Sequence, residues 1–354
     1  MDKRGPSSQL SGGAARVTVG LPTHNGEAFL ETVLEGLVSQ DHANLEIVVS
    51  DNASTDRTPE IVREFMRRDH RVRLLRSDTL VTAAQNFNRV FRATSGTYFM
   101  WAADDDLRDR AYVRRCLSAL ESDRSAVMAC TNFRFIDPAG AILDRDYDRY
   151  DNPDLSSPSV VQRVRLLLRR GGWYEVYGLA RREALERTHL FRDTYGPDVM
   201  LVLELAMLGP IRLVPETLFF FRQIAGRSEQ DRAERQGGID DVGAILGTRL
   251  THLQESMSAT VASSGLAWPL KLRLRVEILW AVYVEDTPIG LRARAEIRER
   301  AAAARRDRDV TAIAKYGVVG GITLMRSIGP GLRQSVGRSR RRFGRWRRTL
   351  RRDR

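Results

Sequence analysis

The sequence predicts an α/β fold in which a mostly parallel central sheet is flanked by helices and followed by a C-terminal helical extension. Three observations carry this. Between Arg16 and Arg222, β-rich runs alternate with segments of helical periodicity, the pattern that buries a parallel sheet between helices. Polar, acid-bearing stretches follow several of those runs, where parallel strands present their carboxyl ends. From Glu229 onward the strand signals stop and only helical periodicity continues.

The first strand, Arg16 to Leu21, breaks at Pro22 into the turn Thr23-His24-Asn25-Gly26. Phe29, Leu30, Val33, Leu34, Leu37 and Val38 then recur at helical spacing and give one apolar face. A second strand, Leu45 to Ser50, stops at the polar loop Asp51-Asn52-Ala53-Ser54-Thr55-Asp56. A strand–helix–strand unit crosses over right-handedly and binds ligands at its strand ends, so Asp51 and His24 are expected to face one crevice. The turn is not the glycine-rich G-x-G-x-x-G of a dinucleotide site, which disfavours a Rossmann dehydrogenase.

Thr58-Pro59-Glu60 reads as an N-cap, a first-turn proline and an early carboxylate, with Ile61, Val62, Phe65 and Met66 as the buried stripe. Val72 to Leu75 is a third strand. Thr82 to Ala93 is a helix with Ala84, Phe87, Val90 and Phe91 inward, and with Asn86 or Asn88 toward the crevice. Thr97 to Trp101 is an aromatic strand expected near the middle of the sheet, and it ends in Ala102-Ala103-Asp104-Asp105-Asp106. Three adjacent carboxylates repel one another unless a cation is present. Mg²⁺ or Mn²⁺ takes one or two carboxylates plus substrate phosphates. The competing reading is a solvated turn ahead of the helix Arg110 to Leu120.

Ala126 to Thr131 is a strand, and Phe133 to Leu143 a hairpin turning at Asp137-Pro138-Ala139-Gly140. Asp144 to Ser159, with Pro153 and Pro158, is expected to be a loop over the site. Val160 to Arg170 is an amphipathic helix, Trp173 to Ala180 an aromatic strand, and Val199 to Leu208 a helix preceded by Tyr195-Gly196-Pro197-Asp198. Ile211 to Glu216 and Leu218 to Arg222 close the sheet.

The run Leu21-Pro22-Thr23-His24-Asn25, the loop Ser50 to Asp56 and the triplet Asp104-Asp105-Asp106 follow one another at three strand ends. Together they resemble the family 2 inverting glycosyltransferases of the GT-A, or nucleotide-diphospho-sugar transferase, fold, from about Arg16 to Ser228. The resemblance implies that Pro22, Thr23, His24, Asn25, Asp51, Asn88 and Asp104 bind the nucleotide-sugar, with Asp51 accepting from the base and His24 stacking on it. It implies Asp105 as ligand of Mn²⁺ or Mg²⁺, Asp106 as a supporting carboxylate and Asp198 as the catalytic base, with Glu204 in reserve. The acceptor side falls to Trp173 and Tyr174 as stacking rings and to Gly178, whose backbone a sugar could approach. Relatives often carry Arg-x-His after the last strand; here it is Arg222-Gln223-Ile224, which leaves Arg222 and Arg227 as candidates for phosphate charge. No Q-x-x-R-W signature of processive synthases follows, so a single addition per encounter is expected.

The resemblance implies a UDP-sugar donor and a sugar or lipid-linked acceptor. It divides the chain into a disordered leader at 1–14, the transferase domain at 15–228, a helical extension at 229–330 and a basic tail at 331–354. The extension shows helices over Ile239 to Met257, Pro269 to Glu285 and Leu291 to Ala314, the second basic and amphipathic, able to rest on a membrane surface or on the catalytic domain. The formal net charge is +12, but eleven arginines and one aspartate between Gly331 and Arg354 account for +10 of it. Such a tail suits anionic lipid head groups at ~1 kcal/mol per charge, and a lipid-linked acceptor favours lipid over nucleic acid. Residues 1–15 lack the apolar core of a signal peptide, and no run approaches the ~18 apolar residues of a membrane span. Cys116 and Cys130 suggest no disulfide. The expectation is a cytoplasmic protein held peripherally at the inner face of the plasma membrane. Two rivals remain: a sugar-nucleotide nucleotidyltransferase, which expects a glycine-rich, lysine-bearing first loop absent here, and a nucleic-acid-binding protein acting through the tail.

Overall fold

The computed structural model describes residues 15–143, 152–170, 173–194, 196–224 and 249–283. The expected leader, the tail, Arg227, the domain boundary at Ser228 and the third C-terminal helix lie outside these residues. The chain divides into two compact units, Met1–Ile278 and Leu279–Arg354. Only the last residues of one helix, to Tyr283, are described in the second.

The strands are β1 (Val17–Thr23), β2 (Leu45–Asn52), β3 (Val72–Ser77), β4 (Tyr98–Trp101), β5 (Leu107–Arg108), β6 (Met128–Ile136), β7 (Leu179–Arg181) and β8 (Ile211–Arg222). They form one sheet in the order β3-β2-β1-β4-β7-β6-β8-β5. β1, β2, β3 and β4 pair in parallel, as do β6 and β8, while β7 and β5 run against their neighbours. The exits of β1, β2, β4, β6 and β8 therefore lie along one edge, the edge where open α/β sheets bind ligands. All seven residues of β1 and all eight of β2 are buried, because helices cover both faces and alternation is lost.

The helices between strands are α1 (Leu30–Val38), α2 (Thr58–Arg68), α3 (Ala83–Arg92), α4 (Tyr112–Ser122), α5 (Val160–Arg170), α6 (Arg182–Leu185) and α7 (Pro197–Leu208). Leu30, Val33, Leu34 and Leu37 form the buried face of α1, as their spacing requires. Thr82 caps α3 by accepting from the Gln85 amide while Gln85 reaches back, a capping box. Central β4 carries an aromatic cluster: Trp101 lies 4.8 Å from Phe99 and 5.0 Å from Phe191, ring centre to ring centre, and its indole N–H donates to the Phe87 carbonyl at 3.0 Å.

Several elements differ from expectation. Thr58 is not the cap of α2 but its first residue: the Asp56 carboxylate accepts the Thr58 amide, freeing the Thr58 hydroxyl to accept from the Gly26 amide at 2.9 Å. β5 is an unpredicted two-residue strand on the edge of β8. The runs split at Asn132 and at Thr217 each join into one strand, because a register shift between Thr131 and Phe133 lets β8 carry Pro215 without breaking. The aromatic run after α5 is a 3₁₀ turn over Tyr174–Tyr177, and only Leu179–Arg181 is strand. Trp173, at φ 61°, turns the chain too sharply for an extended run to begin there. Of the expected loop over the site, residues 152–159 pack elsewhere. Leu155 bridges Ile211 at the entry of β8, the far end of the sheet, and the Asn152 side chain donates to the Thr131 carbonyl. Residues 144–151 lie outside the described set.

The extension contributes α8 (Arg249–Ser263) and α9 (Trp268–Tyr283). α8 packs on α7, with the Thr260 hydroxyl against the Met200 sulfur at 3.4 Å. Glu277 of α9 pairs with Arg165 of α5. Cys116 and Cys130 are buried free thiols. Among the described residues no helix is long and apolar enough to cross a membrane.

Candidate active site

The exits of β1 and β2 are laced into one wall. Asn25 takes a left-handed backbone at φ 51°. Its amide donates to the Ser54 hydroxyl at 2.9 Å, and its side-chain oxygen accepts from the Thr55 amide at 2.9 Å. His24 is fixed by its Nδ1 against the Asn52 carbonyl at 2.7 Å and its Nε2 against the Asn25 side-chain Nδ2 at 3.4 Å. Asp51, opposite Thr23 in the parallel register, is fully buried. One of its oxygens accepts from the Ser54 amide at 3.0 Å; the other has no hydrogen-bond partner and lies 3.5 Å from Arg76 Nε. A desolvated carboxylate oxygen so placed suits an N–H of a nucleobase. Arg76, missed in the sequence, is the residue opposite Asp51 in β3; the third strand was read as ending one residue earlier, at Leu75.

The exits of β1 and β4 meet directly. The Thr23 hydroxyl donates to Asp104 Oδ2 at 2.6 Å, which joins the turn after β1 to the acidic triplet. Gly26 is required there: a Cβ would lie 2.7 Å from Asp104 Oδ2 and collide with the Thr23 hydroxyl. Asp106 is buried, accepts the Arg222 amide at 2.9 Å through one oxygen and has no partner on the other. Burial, then the Asp105 charge, pushes its carboxyl well above the usual range, while the Arg222 amide and the buried Arg108 oppose the rise. The Arg222 guanidinium donates to the carbonyls of Asp105, Asp137 and Pro138. It therefore braces the acidic loop against the hairpin.

Asp198 opens α7 and is pushed upward by burial, with the Val199 amide and its own opposing. The Tyr177 phenol stands at the end of the 3₁₀ turn ahead of β7. Burial raises that phenol well above its ordinary value, and Asp106, Asp105 and Asp198 raise it further. The acids of the β4 exit and the acid of α7 thus act on one hydroxyl. Glu175, one turn back, is 1% exposed with an unpartnered Oε2, and burial pushes its carboxyl up to about 7, with the Asp198 charge adding to the rise. Neither Tyr177 nor Glu175 stood out from the sequence, because both sit in a run whose aromatic content masked them.

Other expected site residues have structural tasks. Both ends of the Asn88 amide engage the backbone of Phe191, at 2.6 and 3.0 Å, so Asn88 fixes the segment ahead of α7. Trp173 is 7% exposed and belongs to the core. Tyr174, half-buried, packs 4.3 Å from the Phe133 ring centre. At Gly178 the space of a Cβ is filled by the Ala129 carbonyl at 2.7 Å, so the glycine serves close packing against β6. Glu204 accepts from the His189 amide and from Arg192, which braces the segment ahead of α7.

Whether these residues suit a divalent cation turns on the triplet. Among the described residues no three His, Cys, Asp or Glu side chains converge as a complete ligand set. The buried, unpartnered oxygen of Asp106 beside Asp105 suits the smaller share a protein contributes when diphosphate oxygens complete the shell.

Residues 18–168 match the family model described as glycosyl transferase family 2. Residues 18–168 thus carry a glycosyl transferase family 2 domain. Among curated relatives it is 25% identical over 179 residues to the uncharacterized glycosyltransferase EpsJ of Bacillus subtilis, covering 50% of this chain and 51% of EpsJ. It is 25% identical over 156 residues to a chondroitin synthase of Escherichia coli, covering 44% of this chain and 23% of that protein. The chain spans about half or less of the length of the curated relatives it matches first. By fold it is similar to residues 1–349 of S. aureus TarS in complex with UDP-GlcNAc, with TM-score 0.57, 14% identity and coverage of 76% and 72%. It is also similar to the mannosyltransferase PcManGT of Pyrobaculum calidifontis in complex with GDP-Man and Mn²⁺, with TM-score 0.52, 21% identity and coverage of 88% and 81%.

Proposed function

We propose that this glycosyltransferase moves a sugar from a nucleotide-diphospho-sugar, a UDP-sugar foremost, to a hydroxyl acceptor with inversion at the anomeric carbon, in polysaccharide synthesis. The observation that carries the reading is the Thr23–Asp104 hydrogen bond, which joins the acidic triplet at the exit of β4 to the His24–Asp51 wall at the exits of β1 and β2. Asp51 accepts from the base, His24 offers a ring face, and Asp104 lies toward the ribose. Asp105, supported by Asp106, would hold Mn²⁺ or Mg²⁺, and the ion would supply positive charge against the leaving diphosphate. Asp198 takes the proton of the acceptor hydroxyl. That oxygen forms the new bond to the anomeric carbon from the face opposite the diphosphate, whose C–O bond breaks with the electron pair leaving on the nucleotide. A base raised by burial holds its proton more tightly once it has taken it, which aids this step.

In this reading residues 15–228 are the catalytic domain, 229–330 an extension and 331–354 a lipid-directed tail that keeps a cytoplasmic protein at the inner face of the plasma membrane, near a sugar or lipid-linked acceptor. UDP-GlcNAc and GDP-Man in complexes of proteins with this fold support the donor class, and chondroitin synthase among the relatives supports the glycan. The test is thermal unfolding with a panel of UDP- and GDP-sugars, with Mn²⁺, Mg²⁺ or a chelator. One nucleotide class at 100-fold over its Kd should stabilise by about 2.7 kcal/mol in the presence of metal. No stabilisation by any nucleotide sugar would overturn the reading, and stabilisation unaffected by the chelator would remove the metal from it.

A further inference from the structure

Helix α9 is apolar on two faces. Leu274 and Ile278 are fully buried, and Glu277 pairs with Arg165 of α5. On the other side Trp268, Leu272 and Val276, spaced four apart, are 72%, 48% and 53% exposed. At 3.6 residues per turn, Arg275 borders this stripe on one side and Arg273 on the other, both exposed. A soluble surface helix shows polar side chains outward. A solvent-side stripe of tryptophan, leucine and valine bordered by arginines is instead the composition of a helix lying in the plane of a lipid interface, where apolar side chains enter the acyl boundary and cations meet anionic head groups.

We propose that the outer face of α9 is a docking surface for an anionic lipid bilayer, with Trp268, Leu272 and Val276 inserted and Arg273 and Arg275 at the head groups. Charge selects this occupant. A second protein copy would have to place its own charges opposite Arg273 and Arg275, whereas an anionic bilayer offers negative charge along the whole stripe, and the later chain adds eleven arginines of the same sign. The inference goes beyond a tail-only attachment, and it does not depend on the identity of the donor. Two attachments acting together, one inserted and one electrostatic, bind more firmly than either alone, and salt weakens only the electrostatic one. They would also set the orientation of the transferase, since α9 is joined to α5 by an ion pair whereas a tail alone fixes no face.

The test uses the full chain with Leu272→Cys, labelled with an environment-sensitive fluorophore; both native thiols are buried. Vesicles of phosphatidylglycerol with phosphatidylcholine should shift the label's emission to the blue and expose it to quenching by lipid-borne nitroxide, and pure phosphatidylcholine vesicles should not. In parallel, Trp268→Ser/Leu272→Ser/Val276→Ser should lower co-sedimentation with the anionic vesicles at least tenfold. These positions are exposed, so the variant should melt with the wild type. Co-sedimentation without any change at the label would assign binding to the tail alone and overturn the proposal. So would a label already blue-shifted and protected before vesicles are added, which would mean that protein covers the stripe.

Discussion

Glu175 offers a quantitative check on the interior beside Asp198. It lies in the 3₁₀ turn at 1% exposure with one oxygen unpartnered, and burial lifts its carboxyl from 4.5 to about 7. Below pH 4.5 the folded and unfolded chains both hold the proton, so the group has no effect. Between 4.5 and about 7 the unfolded chain releases it while the folded chain retains it, so stability falls as pH rises and the loss is complete above the folded value. The whole gap, at ~1.4 kcal/mol per pH unit, is about 3 kcal/mol, of which about 2.5 kcal/mol falls between pH 5 and pH 8. Glu175→Gln keeps the shape and removes the titration. Urea unfolding of both proteins at the two pH values should show the variant gaining on the wild type by that amount on going to pH 8. An equal difference at both pH values, or one that shrinks, would refute the claim that this carboxyl is desolvated in the folded protein.

Two further predictions concern the wall and the core. Gly26→Ala forces apart the Thr23 hydroxyl and Asp104; donor affinity by calorimetry should fall roughly tenfold or more, a loss of at least ~1.4 kcal/mol, while circular dichroism stays native. Trp101→Ala empties the centre of the aromatic cluster and leaves the Phe87 carbonyl unpaired; denaturant unfolding should show a loss of about 3–5 kcal/mol.

Much of the amino-terminal half was legible because its signals are local. Leu30, Val33, Leu34 and Leu37 can satisfy only a helix with one buried face, and β1 and β2 are too apolar to be anything but covered on both sides. The acidic triplet was legible for a similar reason, since charge at the end of a buried strand needs a partner. The run from Trp173 to Tyr177 was not. Aromatic residues favour strands by propensity, yet Trp173 adopts a left-handed backbone that no propensity encodes, and the chain turns before the sheet resumes at Leu179. The hydrogen bonds of Asn88, Glu204 and Arg222 were equally hidden: each is made to partners distant in sequence, Phe191, Arg192 and the Asp105 carbonyl among them. β5 escaped because two residues carry no periodicity. Glu175 escaped because burial, which alone makes it unusual, is a tertiary property.

The central claim is that Asp198 removes the acceptor proton beside a donor held at the exits of β1, β2 and β4. Its most direct measurement is the transfer rate of Asp198→Asn at saturating donor, with donor affinity measured alongside. The account predicts a fall of at least about 100-fold in rate, the usual worth of a general base, with donor Kd unchanged within about twofold. A variant that transfers sugar at the wild-type rate would contradict it.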